Sequence, residues 1–252
     1  MLLRKIFLKL SFGFFRFIEK IASTIQGKGW EPRRISFEVN ACLSLLKMKP
    51  KIFVDIGANK GLYSKFLLKQ FDNLECHLFE PSTYNFEILT DLFSSFDKVK
   101  INKIGLSSIS SSAKLFSDKS GSALSSLTKR RLDHFNLIMD LEEKVEIKRF
   151  DEYWEYKNSF IDLVKIDVEG HELDVLKGFG DLLKKTRLVQ FEFGGTNIDT
   201  KTFFQDFWYF FKENDFSIYR ITPIGIFRIK KYSEQDEYFS ITNYIALNNK
   251  LS

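Results

Sequence analysis

Three short stretches of the chain set carboxylates beside glycine or histidine at spacings that could do chemistry. Lys165-Ile-Asp-Val-Glu-Gly-His-Glu172 holds Asp167, Glu169 and His171 within five residues, with Lys165 just ahead of them. On an extended backbone Lys165, Asp167 and Glu169 fall on one face, and Gly170 then lets the chain turn into a helix. Histidine is the residue type that ordinarily titrates near neutral pH. A positioned carboxylate is an equally good proton acceptor, and either contributes about 10²–10⁴-fold to a proton transfer. The residue types leave open which of Asp167, Glu169 and His171 is a base and which orients a substrate. Glu192, within Gln190-Phe-Glu-Phe193, is a fourth candidate acid. Carboxylates in such a group could also hold Mg²⁺.

The second stretch is Phe53-Val-Asp-Ile-Gly-Ala-Asn-Lys-Gly-Leu-Tyr-Ser64. Gly57 and Gly61 permit a tight turn and a close backbone approach to a ligand. The arrangement D-x-G-x-x-x-G is not the G-x-G-x-x-G of a dinucleotide site, which disfavours a dehydrogenase. A pyrophosphate favours a helix N-terminus free for an anion. Asp55 at that place instead suits a cationic, amino-acid-bearing ligand. The third stretch is Phe79-Glu-Pro81. Glu80 follows Gly61 by 19 residues, where a carboxylate at a strand end can accept both hydroxyls of a ribose.

These residues need a scaffold that brings strand ends together. Ile52–Ile56 is a nearly continuous apolar run, as expected of a parallel strand buried on both faces. Periodicity predicts helices at 63–70 and 83–93, with strands at 76–79 and 99–104. This alternation implies a parallel sheet with right-handed crossovers. Residues 107–144 break the rhythm with serine-rich runs that favour loops. Further strands are predicted at 145–150, 161–167, 188–193, 216–221 and 244–247. Helices are predicted at 172–177 and at 200–214, the latter capped by Asp199 or Thr200.

Taken in order, F-V-D-I-G-A-N-K-G-L-Y-S, F-E-P and K-I-D-V-E-G-H-E resemble the FkbM-type methyltransferases over roughly residues 50–195. That resemblance implies an α/β, Rossmann-like class I methyltransferase fold, with a mostly parallel central sheet and helices on both faces. It implies S-adenosyl-L-methionine as cofactor, and O-methylation of a hydroxyl in a sugar or a polyketide-type product. By the same resemblance Asp55, Gly57, Ala58, Asn59, Gly61 and Tyr63 line the methionine and ribose side, with Asp167 beside them. Glu80 and Pro81 meet the ribose, and Gly105 and Leu106 flank the adenine. The resemblance implies no metal. A sugar of a glycan or glycolipid is the expected acceptor. The competing reading is a non-catalytic scaffold of the same fold in glycan assembly.

Nucleic acid is not an expected partner. The prolines (Pro32, Pro50, Pro81, Pro223) form no Asn/Asp-Pro-Pro-Tyr/Phe element, and neither Cys42 nor Cys76 follows a proline. The formal charge is +5, yet residues 1–34 hold eight Lys/Arg against Glu19 and Glu31, so the body is nearly neutral. Two cysteines without metal-site spacing fit a reducing, cytoplasmic compartment.

Residues 1–34 are therefore set apart as a basic helical arm, with the methyltransferase domain at 35–252. On a helix Leu3, Ile6, Phe7, Leu10, Phe14, Phe17, Ile18, Ile21 and Ile25 share one face, and Lys5, Lys9, Arg16 and Lys20 the opposite one. Phe12 and Phe15 fall off the stripe. Charges interrupt every apolar run before the ~18 residues that span a bilayer, and no signal-peptide pattern fits. Two readings stand: a helix docked on the body, or contact of residues 1–26 with anionic lipid at the inner face of the membrane.

Overall fold

The computed structural model describes residues 2–32 and 34–251, and of residues 2–10 the backbone alone. Its centre is the strand Ile52–Ile56 (β1), whose alternation sorts the core into two layers. Val54 and Ile56 join one apolar cluster and Phe53 the other. Parallel to β1 run Glu75–Phe79 (β2) on one side and Ile161–Ile166 (β7) on the other, with Val99–Asn102 (β3) beyond β2 and Thr186–Phe193 (β8) beyond β7. Thr242–Asn248 (β11) adds antiparallel to β8. Phe216–Thr222 (β9) and Gly225–Ile229 (β10) follow it, also antiparallel. The eight-stranded order is β10-β9-β11-β8-β7-β1-β2-β3.

Ile35–Leu46 (α2), Leu62–Leu68 (α3) and Thr83–Leu92 (α4) cover one face through Val39, Cys42, Leu67 and Leu89. Phe150–Tyr153 (α5), Glu172–Gly178 (α6) and Phe204–Glu213 (α8) cover the other, with the short helix Thr196–Thr200 (α7) between β8 and α8. Many of the chain's 28 phenylalanines fill these two layers, although others, on the arm above all, are exposed. Phe191 stacks on Phe207 at 5.0 Å and on Tyr244 at 5.4 Å, and Phe150 stacks on Phe179 at 4.2 Å. Each such fully buried ring contributes roughly 1.5–3 kcal/mol.

Several expected boundaries move for physical reasons. The run 99–104 divides, because after β3 the chain leaves the main sheet. Gly105–Leu106 (β4) then pairs with Leu141–Lys148 (β6), which also pairs antiparallel with Ser111–Ser117 (β5). The serine-rich excursion thus carries a small sheet of its own, of order β4-β6-β5. β6 starts earlier than expected and stops at Lys148, since the buried Phe150 opens α5. The helix expected from 200 starts at Phe204, after Lys201 turns left-handed at φ 57°. Its first turn is held by Asp206, whose Oδ2 accepts the Phe203 N–H at 2.8 Å, rather than by Asp199 or Thr200. Helix α2 and strand β10 had no clear signal in the periodicity.

The helix Leu2–Ile25 (α1) precedes these elements. The side chains of Leu3, Ile6, Phe7 and Leu10, and of Arg4, Lys5 and Lys9, lie outside the described residues, as does Arg33. From Phe14 to Ile25 the apolar stripe is exposed. Among the described residues no helix is long and apolar enough to cross a membrane.

Candidate active site

Three adjoining cavities lie at the carboxyl ends of β1, β2, β7 and β8, and Gly57, Asn59 and Asp167 belong to all of them. The turn after β1 is bound tightly to its neighbours. The N–H groups of Gly57 and Ala58 both donate to Phe79 O, at 2.9 and 3.1 Å, and Asp167 N–H donates to Ile56 O at 3.0 Å. Gly57 sits at φ 78°, and a Cβ there would lie 1.9 Å from Asp167 O. Only glycine lets β1 and β7 close together at the site. Gly61 has a different role: a Cβ would meet Phe93 and Leu89 at 2.6 and 2.7 Å, so it serves the packing of α3 on α4 and lines none of the three cavities.

The first cavity is mainly apolar, with Leu106, Leu115 and Ile147 among its walls. Glu80 stands in it with its carboxylate already oriented. Oε2 accepts Asn59 N–H at 2.8 Å and Oε1 accepts Ser82 N–H at 3.0 Å. Burial raises its pKa to about 7, against the pull of those two N–H groups. Pro81, Gly105 and Leu106 line the same cavity. So does Asn85 of α4, whose Oδ1 is buried without a partner.

The second cavity holds Asp55, Ala58, Tyr63, Lys165 and Glu192. Asp55 is buried; its Oδ2 accepts the Ser64 hydroxyl at 2.5 Å while Oδ1 has no partner. Burial raises the Asp55 pKa, although Lys165 and Ser64 oppose it. Lys165 Nζ bonds Asp167 Oδ2 at 2.8 Å. Desolvation alone would lower the lysine's pKa, but Asp167 and Asp55 outweigh it and hold the ammonium charged. Tyr63 lines the cavity with its ring, since its hydroxyl is turned inward to donate to Gln190 Oε1 at 2.6 Å. Glu38, carried by α2, lines the same cavity and accepts from Gln190 Nε2 at 2.5 Å.

The third cavity brings Asp167, Glu169 and Glu192 together with Phe135, Thr196 and Phe239. The strand does not persist to Glu169, as strict alternation would require. β7 ends at Ile166, and Glu169 adopts φ 55° in a turn stapled by Glu172, whose Oε1 accepts the N–H groups of Val168 and Gly170 at 3.1 and 3.0 Å. Arg130, from the serine-rich excursion, lies between Glu169 at 2.8 Å and Asp199 at 3.3 Å. Desolvation and repulsion by Asp167 still raise the Glu169 pKa to about 8, against the pull of Arg130. Desolvation, then Asp167 and Glu169, raise Glu192 well above an ordinary carboxyl. Among the described residues the Glu192 carboxylate has no hydrogen bond or ion pair.

His171 is set apart from this group. It lines the first cavity and neither of the two with Glu192, and its ring nitrogens face Thr128 Oγ1 at 3.0 Å and Asp174 Oδ2 at 3.3 Å. Arg130, Asn85, Glu38 and the strap Ser122–Ser126 had no signal in the sequence motifs. The strap lines the first cavity, and Ser126 Oγ donates to Glu169 O at 2.7 Å. Among the described residues no group of three or more His, Cys, Asp or Glu side chains is arranged to hold a metal ion.

The arrangement fits an adenosyl ligand with a cationic amino-acid end. An apolar slot adjoins a carboxylate preset for two hydroxyl donors, and the buried orphan oxygen of Asp55 lies in the adjoining polar cavity. The sequence matches the methyltransferase FkbM domain over residues 55–218. No curated protein matches the chain. Among solved structures, a putative caffeoyl-CoA O-methyltransferase from Staphylococcus aureus aligns with TM-score 0.48 and 12% identity, over 99% of this chain and 100% of that one. An rRNA methylase from Streptococcus thermophilus aligns with TM-score 0.48 and 11% identity, over 87% of this chain and 98% of that one. A precorrin-6y C5,15-methyltransferase from Geobacter metallireducens aligns with TM-score 0.43 and 11% identity, over 83% and 86%. The domain match covers well over half of the sequence, and the chain belongs to the FkbM family of S-adenosylmethionine-dependent methyltransferases, with the class I fold of that group.

Proposed function

We propose that the chain methylates a hydroxyl, that of a sugar in a glycan or glycolipid, and that the third cavity receives this acceptor. The observation that carries the reading is Glu192: a desolvated carboxylate without a partner, shared by the cavity of Asp55 and the cavity of Phe135 and Phe239. Carboxylates beside the exposed ring of Phe135 and the partly buried ring of Phe239 suit a ligand with many hydroxyls and an apolar ring face. When bound, the cofactor supplies a methyl group already activated on a sulfonium. The chain's own tasks are alignment and proton removal. Asp55 and Glu80 hold the two ends of the cofactor, and Lys165 fixes Asp167 through its 2.8 Å contact. Glu192, once ionised, accepts the proton of the acceptor hydroxyl on a carboxylate oxygen, and its raised pKa makes that carboxylate a stronger base than an ordinary one, while Asp167 is engaged by Lys165.

A cytoplasmic setting goes with this reading, supported by the unpaired, buried Cys42 and Cys76. The test is incubation with methyl-labelled cofactor and fractionated cell glycans and glycolipids. Label recovered as an O-methyl sugar is the expected result, and label recovered only in RNA or protein would overturn the assignment. Glu192→Gln should lower the rate by about 10²–10⁴ with cofactor affinity retained. If His171→Ala causes that loss and Glu192→Gln does not, the proton goes to the imidazole instead.

A further inference from the structure

We infer that α1 lies on an anionic bilayer, with its apolar stripe in the lipid and the groove behind it at headgroup level. The orientation of the helix is the first observation. A docked amphipathic helix buries its apolar side, and α1 leaves it in water: residues 12–22 are exposed all round, Phe12 and Phe15 off the stripe included, at 71 and 65%. Phe14, Phe17, Ile18, Ile21 and Ile25 are 59, 62, 44, 45 and 50% exposed. Only the last turn meets the body, and it does so on the side opposite the stripe, where Ser23 is buried and its Oγ receives the Tyr238 hydroxyl at 3.3 Å. A stripe of this kind left in water marks an interaction surface.

The second observation is that this orientation is built in. The turn leaving α1 presses on the sheet at Gly27, where φ is 81° and a Cβ would sit 2.3 Å from Ile221 O. Lys28 Nζ donates to Gln235 O at 2.6 Å, and Trp30 bridges to Thr242 in the central sheet. The third is charge. Up to residue 28 the sequence has six Lys/Arg and one acidic residue, Glu19. Arg16, Lys20 and Lys28 line the groove between α1 and the body. That sign is complementary to anionic headgroups, whereas a second copy of the chain would bring two basic arms together.

The groove also reaches the site. Ser240 lines both it and the cavity that holds Glu169 and Glu192. A bilayer on α1 would therefore face the mouth of the acceptor cavity, and the acceptor would be a lipid-anchored hydroxyl compound with an anionic linkage. This last step rests on the sugar reading above; the docking itself does not.

The test uses the full chain with vesicles of phosphatidylcholine alone and of phosphatidylcholine with phosphatidylglycerol. The wild type should co-sediment with the anionic vesicles and be released as salt rises. Arg16→Gln with Lys20→Gln should weaken that binding roughly 25-fold, at about fivefold per basic residue. Phe14→Ser with Phe17→Ser and Ile21→Ser should abolish it. S-adenosylhomocysteine binding, followed by calorimetry, should be unchanged in both variants because all five side chains are remote from its cavities. A wild type that binds this ligand but sediments with neither vesicle would overturn the docking. Light scattering that shows a dimer, broken by the triple substitution and indifferent to lipid, would assign the stripe to a second copy and overturn it too. Vesicle binding without any cofactor affinity would instead count against the catalytic reading alone.

Discussion

Glu80 shows how a single carboxylate is prepared for a ligand. Two backbone N–H groups fix its oxygens, while burial raises its pKa to about 7. Ribose hydroxyls need an ionised acceptor, so affinity for S-adenosylhomocysteine should fall as pH drops below about 7. Glu80→Gln should weaken binding by roughly 1–3 kcal/mol at pH 8 and flatten the profile. Calorimetry between pH 5.5 and 8.5 checks both, and a pH-dependent Glu80→Gln protein would refute the assignment. Gly57 is the backbone counterpart. A side chain there would meet Asp167 O at 1.9 Å in a left-handed conformation. Gly57→Ala should cost more than the roughly 1–3 kcal/mol of the backbone strain alone, visible as a lower melting temperature.

At the scale of elements, the serine-rich excursion is the part whose role depends most on its partners. β5 and β6 form a small sheet beside the main one, and the strap between them is pinned at Ser126 and Arg130. Arg130 is nearly buried between Glu169 and Asp199, and removing one member of such a group costs about 3–5 kcal/mol. Arg130→Met should therefore release the strap. Amide hydrogen exchange in residues 118–135 should rise, and cofactor affinity should fall, while exchange in β1, β7 and β8 stays slow. Slow exchange retained throughout the excursion would mean that its own packing holds it.

The whole molecule carries the acidic groups as a common electrostatic load. Glu80 and Glu169 have folded-state pKa values of about 7 and about 8, against an ordinary 4.5. The folded state thus binds their protons more tightly than the unfolded chain does. Stability of the unliganded protein from these two groups is fully present below pH 4.5, declines from there, and levels off once pH has passed 7 for Glu80 and 8 for Glu169. Each group loses about 1.4 kcal/mol per pH unit across its own window. Thermal melts should show this decline, and Glu80→Gln with Glu169→Gln should remove most of it. A melting temperature that rises from pH 5 to pH 8 would contradict the assignment.

Much of the site was legible because its motifs are contiguous. Asp55 stands near the end of a buried strand, and Gly57, Glu80, Asp167 and Glu169 follow such strands within three residues, and parallel strands bring such positions to one edge without further instruction. The alternating apolar runs required that sheet, since backbone groups in buried strands must pair with neighbours. Tertiary packing decided the rest. Glu38, Asn85 and Arg130 come from elements whose local sequence says nothing of the cleft, and they arrive only because apolar residues beside them fill the core or the small sheet. His171 follows Gly170, and the left-handed turn there aims it at Thr128 rather than along the line of Lys165 and Asp167. The arm makes the same point at larger scale. Its two faces are plain in the residues, but which one meets the body is decided by the Gly27 turn against Ile221, a contact between segments nearly two hundred residues apart.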